Sequence, residues 1–193
     1  MAVGFYHNST ICTECKACQI ACKDLHDVDA SINLRKVSCY EGGAFPQPWV
    51  YFLSIACNHC ESPACFANCP VGAISKLDDG TVVIDEELCI GCQTCTKACP
   101  YGAPKHLEDE GIAIKCDGCK ELRDQGLNPA CVDACLMRAL EFGDVDELRA
   151  AHGGENLTAD LPPLPSSSET MPNLLINAKG VALEGAYRTF DVQ

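Results

Sequence analysis

The sequence predicts an α+β fold in which short strands and short helices are strung between loops of cysteine, with an irregular C-terminal tail. Three observations point there. Sixteen of the 17 cysteines in the 193-residue chain fall into four runs. Two of those runs are near-copies of each other, separated by a hairpin signal. The stretches between runs are β-branched and aromatic segments of strand length, bounded by Gly and Pro. A cysteine content this high excludes an ordinary apolar core.

In chain order, residues 3–8 read as a strand leading into run one, Cys12, Cys15, Cys18 and Cys22, spaced C-x2-C-x2-C-x3-C. Residues 17–26 have helical character, 28–33 form a loop, and 34–40 return as a strand. Cys39 stands alone on that strand and reads as a small buried side chain. Gly42-Gly43, Pro46 and Pro48 mark a loop before a strand over 50–55. Run two follows as Cys57, Cys60, Cys65 and Cys69-Pro70, with a longer gap in its middle. Asp78-Asp79-Gly80, followed by Val82-Val83-Ile84, reads as a β-hairpin. Run three, Cys89, Cys92, Cys95 and Cys99-Pro100, has the full C-x2-C-x2-C-x3-C-P spacing.

Residues 57–74 and 89–104 therefore form an internal repeat, and the hairpin between them completes a two-site unit. An acidic turn at 108–111 and a strand over 112–115 lead to run four, Cys116, Cys119, Cys131 and Cys135. Its central insertion carries a short helix ending near Gly126. A helix from Asp144 to His152 closes at Gly153-Gly154. Residues 156–172, rich in Pro and Ser, read as irregular, and Leu174-Leu175-Ile176 as an edge strand before the remaining tail.

The spacing decides the chemistry. Three thiolates at C-x2-C-x2-C wrap one loop around three irons of a cubane, while the fourth cysteine, a helical turn further on, points away. In two-cluster bacterial ferredoxins that fourth residue ligates the other cluster. Sixteen clustered thiols supply four sets of four, which matches four [4Fe–4S] clusters as cofactors. Structural zinc is the main rival, but zinc ribbons use paired C-x2-C knuckles and not three ligands in one tight loop. Disulfides fit poorly, because the total is odd and the neighbours lie at i, i+3. Small residues between ligands (Ala17, Gly91, Ala98, Ala134) let the backbone close on a cluster.

Composition narrows the rest. A formal charge of −13 without a basic stripe argues against nucleic acid. The apolar stretch 49–57 is too short to cross a bilayer, so no direct membrane insertion is expected. No cleavable signal and no twin-arginine motif is visible. The chain is therefore expected in the cytoplasm, or exported folded with a partner and peripheral to the membrane. His7, His26, His59, His106 and His152 are scattered, and no P-loop, dinucleotide fingerprint or nucleophile elbow is present, so no catalytic residue is expected. His59 reads as packing near a cluster.

Four stretches carry a family resemblance: Cys57-Asn58-His59-Cys60-Glu61-Ser62-Pro63-Ala64-Cys65, Cys89-Ile90-Gly91-Cys92, Cys99-Pro100-Tyr101-Gly102-Ala103-Pro104 and Lys115-Cys116-Asp117-Gly118-Cys119. They resemble the four-cluster electron-transfer subunits of molybdopterin oxidoreductases, of the dimethyl sulfoxide reductase type, from about Gly4 to Arg149. The resemblance implies two ferredoxin-like lobes. Residues 3–38 with 106–140 would form the first, 48–105 the second, and 141–193 the short helix and tail.

It also implies exchanged ligand sets: Cys12, Cys15 and Cys18 with Cys135; Cys22 with Cys116, Cys119 and Cys131; Cys57, Cys60 and Cys65 with Cys99; and Cys89, Cys92 and Cys95 with Cys69. Nitrate-reductase-like relatives carry tryptophan where this chain has Cys92, so a fourth cubane is expected here. Lys23 and Leu136 replace the proline that follows runs two and three. The implied partners are a large molybdopterin (Mo or W) catalytic subunit, reducing an S-oxide, N-oxide or similar group, and a membrane quinol-oxidising subunit. A formate dehydrogenase or hydrogenase subunit, or a free-standing polyferredoxin, is the alternative.

Overall fold

The structure, a computed structural model, describes residues 2–190. It begins with β1 (Val3–Asn8), five of whose six residues are buried, so both faces of this strand are covered. Run one occupies the loop into α1 (Ala17–Leu25), and a second loop leads to the antiparallel pair β2 (Lys36–Gly42) and β3 (Trp49–Ile55). The repeat then reads α2 (Ala64–Ala67), the hairpin β4 (Ile74–Lys76) with β5 (Val82–Ile84), and α3 (Thr94–Ala98). A second hairpin, β6 (Lys105–Leu107) with β7 (Ile112–Ile114), follows, of which the sequence shows only the second strand.

Run four is carried by α4 (Lys120–Asp124) and α5 (Ala130–Asp133), and β8 (Leu140–Asp144) leads into α6 (Val145–Ala151). The Asp144 carboxylate accepts from the N–H groups of Asp146 (2.9 Å) and Glu147 (3.0 Å), satisfying two otherwise unpaired donors at the start of α6. Asp144→Ala should cost about 1 kcal/mol of stability, read as a small drop in melting temperature with the iron content unchanged.

The C-terminal segment corrects the sequence reading. It contributes β9 (Leu157–Thr158), β10 (Leu174–Asn177), a 3₁₀ turn at Gly180–Leu183 and β11 (Arg188–Phe190). β10 is not an edge strand. The largest sheet has the order β8-β1-β10-β9, with β10 parallel to β1 in the register Phe5↔Leu174 to Asn8↔Asn177. β11 extends the β2–β3 pair as a third, antiparallel strand. Three apolar residues in a row suit either an edge or a centre. The neighbours that decide between them are set by pairing across the whole chain. Gly4 is where β1 meets this segment: a Cβ there would lie 2.1 Å from the Asn173 carbonyl oxygen.

The core falls into separate patches. The largest joins Phe5, Tyr51, Leu53, Leu140, Leu174 and Ile176 with cysteines of runs one, two and four. A second joins Cys65 and Cys95 with Ile74, Val82 and Ala113, and a third packs Tyr6, Leu148 and Leu175. Cys39 is only half-buried on β2.

Candidate metal centres

Each run uses the same local device. The residue before the second cysteine has a left-handed backbone in all four: Glu14 (φ 59°), His59 (φ 42°), Gly91 (φ 63°) and Gly118 (φ 70°). Lys16, Gln93 and Cys119, just before the following helices, are left-handed as well. Such turns curl the chain around a point. Glycine marks them in runs three and four, whereas Glu14 and His59 carry no sequence signal.

The fourth cysteine of each run lies a helical turn beyond the third, which carries it to a neighbouring run. One cavity is lined by Cys12, Cys15, Cys18 and Cys135. A second is lined by Cys57, Cys60, Cys65 and Cys99. A third is lined by Cys69, Cys89, Cys92 and Cys95. The remaining four thiols also converge: Cys22 interacts with Cys131 and Cys119, and Cys116 with Cys131 and Cys22. Twelve run cysteines thus line three cavities in fours, and Cys22, Cys116, Cys119 and Cys131 lie near one another, with Cys116 also beside Cys57.

Burial is the leading influence on the inner thiols. It pushes Cys22 and Cys65 up to about 12 and Cys60 and Cys119 up to about 11, and it raises Cys116 well above the usual cysteine range. Such groups stay neutral at ordinary pH unless a metal displaces the proton. Cys92, exposed as Cys15 is, departs from this pattern: the Thr94 hydroxyl 3.4 Å away holds its thiol below the usual cysteine range.

Donors are aimed at the sulfurs. The N–H of Ala113 reaches Cys89 (3.3 Å), that of Gly118 reaches Cys116 (3.4 Å) and that of Ala139 reaches Cys135 (3.2 Å). The Thr170 hydroxyl reaches Cys60 at 3.2 Å, and Ser54 Oγ lies 3.3 Å from Cys18 Sγ. Four thiols on one cavity, close-turning loops and donors directed at sulfur fit a [4Fe–4S] cubane, which needs thiolate ligands and is tuned by such hydrogen bonds.

Several participants were invisible in the sequence. Thr170 lies on the C-terminal segment, which straps over run two: Glu61 N–H donates to Met171 O (2.8 Å) and Asn173 Nδ2 to His59 O (2.7 Å). Arg35 and Lys115 are buried cations beside the thiols. Lys115 had a weak signal, its position before Cys116, and Arg35 had none. The described histidines lie apart from one another in the fold. His7 and His59 are buried and neutral, their pKa values lowered by burial, His7 to about 4. His59 accepts from the Val82 N–H at 3.1 Å, in keeping with a packing role. His152 stacks on Tyr6 at 3.7 Å, and His26 lies 3.9 Å from Asp117. No helix among the described residues is long and apolar enough to cross a membrane.

Comparison with known proteins gives the same picture. The family described as "4Fe-4S dicluster domain" matches residues 48–145, and the one described as "4Fe-4S binding domain" matches residues 9–25. The B subunit of the anaerobic dimethyl sulfoxide reductase of Escherichia coli K12 is 46% identical over 181 residues, covering 90% of this chain and 87% of that protein. The B subunit of the Haemophilus influenzae reductase is 44% identical over 182 residues, with the same coverage. The thiosulfate reductase electron transfer subunit PhsB of Salmonella typhi is 36% identical over 144 residues, covering 73% of this chain and 75% of that one. With four cysteine runs folded onto one another and relatives of this kind along most of its length, the chain belongs to the iron–sulfur electron-transfer subunits of the dimethyl sulfoxide reductase type, and its cofactors are [4Fe–4S] clusters.

Proposed function

We propose that the sixteen run cysteines hold four [4Fe–4S] clusters in exchanged sets, and that the chain relays electrons to a molybdopterin catalytic subunit that reduces an S-oxide, N-oxide or related group. The observation that carries this reading is the lining of the three cavities, each with three cysteines of one run and the closing cysteine of another. When bound, the clusters supply one-electron carriage. The chain's own part is to ligate, space and insulate them. Cys18 interacts with Cys131, Cys116 interacts with Cys57 of the next set, and Cys65, Cys69, Cys89 and Cys95 share one core patch. These contacts support the order Cys12 set, Cys22 set, Cys57 set, Cys89 set.

Two lobes follow from the pairing of runs one with four and two with three. Ala113 packs with Cys65 and Cys95, which favours extending the second lobe through β7 rather than ending it at residue 105. The names of these three relatives, each a reductase subunit, support a catalytic partner. In the same reading a membrane quinol-oxidising subunit supplies the electrons.

An anaerobic iron and zinc count with EPR tests the reading. About sixteen irons per chain are expected, with spin-coupled signals appearing on reduction. Cys99→Ser should damage the cluster of Cys57, Cys60 and Cys65, and Cys69→Ser that of Cys89, Cys92 and Cys95. Each should lower iron by about a quarter or leave a three-iron signal in the oxidised sample. Damage confined to the mutated run's own cluster would refute the exchange. Zinc in place of iron would refute the function. Purification from the native host should bring down a large molybdenum- or tungsten-containing chain.

A further inference from the structure

Two cations are buried between the thiol sets, and each stands at a joint. Arg35, 1% exposed, donates through Nη1 to Ser54 O (3.0 Å) and Ser54 Oγ (3.1 Å) and lies 4.2 Å over the Phe5 ring. Its Nε and Nη2 are buried with no hydrogen-bond partner. The charged groups that act on it most are the thiols of Cys131, Cys116, Cys18 and Cys22. Lys115, 6% exposed, donates to Cys57 Sγ (3.4 Å), to Cys116 O (2.9 Å) and to Val82 O. An ammonium has three N–H donors, and here three acceptors meet them. Arg35 therefore faces the Cys12 and Cys22 sets, and Lys115 touches both the Cys22 and Cys57 sets.

We propose that Arg35 and Lys115 are tuning residues that raise the reduction potential of the Cys22, Cys116, Cys119 and Cys131 cluster from both sides. This inference rests on the four-set reading above. Reduction adds one electron, and so one negative charge, to a cluster already surrounded by thiolates. A cation fixed nearby in a low-dielectric interior stabilises the reduced form more than the oxidised one, so the potential rises. Arg35 also acts on the Cys12 cluster, and Lys115, through its bond to Cys57 Sγ, on the Cys57 cluster. Only the Cys22 cluster feels both. It stands where an electron passes between the two halves of the chain, and the cations keep that step from becoming uphill. The Cys89 cluster has neither cation beside it.

The bland alternative is that the two side chains merely offset thiolate charge during folding. Potentiometric titration followed by EPR on the cluster-loaded complex, with iron counted in parallel, separates the two. Lys115→Met and Arg35→Gln should keep the wild-type iron content and each lower two of the four midpoints. One midpoint should fall in both variants, and in the double variant it should fall by nearly the sum. Arg35→Lys, which keeps the charge, should shift less than Arg35→Gln.

Full iron with unmoved midpoints would overturn the proposal, as would an equal shift in Arg35→Lys and Arg35→Gln. If Arg35→Gln fails to take up iron, Lys115→Met decides. Loss of iron in both would overturn tuning in favour of an assembly role. A wild-type count well below four clusters would instead count against the four-set reading.

Discussion

Ending the chain at Pro172 should yield protein that takes up little or no iron, although every run cysteine remains. The cut removes β10, the strand between β1 and β9. Leu174, Leu175 and Ile176 are 3%, 2% and 0% exposed, and burying a side chain of this size contributes about 1.5–3 kcal/mol. Three of them together approach the whole stability of a domain this size, roughly 5–15 kcal/mol. The cut also takes Asn173, whose N–H and amide bond the Asn58 and His59 carbonyls inside run two. Ile176→Ala is the finer version. It should cost about 2–5 kcal/mol and lower the melting temperature without touching a ligand. Truncated protein with full iron and a native melting curve would show that β10 does not hold the core.

The contrast between ligands and tail shows what a sequence can reveal. Four thiolates on a cubane impose spacings that few other demands share, so runs one and three are readable residue by residue. The 78–84 hairpin and the 144–152 helix are readable for similar reasons, because their turn and cap residues act locally. Leu174-Leu175-Ile176 is different, since its apolar pattern says that it is buried and not by whom. Lys105-His106-Leu107 has no strand pattern at all and becomes β6 only because β7 pairs with it. Arg35, between Leu34 and Lys36, reads as an ordinary solvated charge. Its burial depends on thiols from α1, α5 and the start of run four meeting around it. Charge placed by tertiary packing leaves no periodicity to detect.

Gly91→Ala should cost the chain one cluster and leave the others in place. Gly91 lies between Cys89 and Cys92 at φ 63°, and a Cβ there would sit 2.0 Å from the Gly111 carbonyl oxygen and 2.8 Å from its carbon. The obstacle is backbone, at the turn between β6 and β7, where the Gly111 N–H donates to Leu107 O at 2.9 Å. Neither side can yield by a side-chain rotation, so the loop of run three must move and carry Cys92 away from Cys89 and Cys95. Iron should fall by about a quarter, or a three-iron signal should appear in the oxidised protein. The Cys12 cavity is walled by other segments, and the Cys57 cavity takes from run three only Cys99 and the residues after it, beyond the Gly91 loop, so both should keep their clusters.

Gly72→Ala supplies the control. Gly72 has nearly the same backbone (φ 68°), but nothing lies within 4 Å of an added Cβ. That substitution should incur only the left-handed penalty of about 1–2 kcal/mol and keep all the iron. Equal iron loss in the two variants would mean that backbone strain alone governs run three. Loss in Gly91→Ala alone would mean that the close approach of the β6–β7 turn shapes the loop around its cluster, a contact between segments that only the fold brings together.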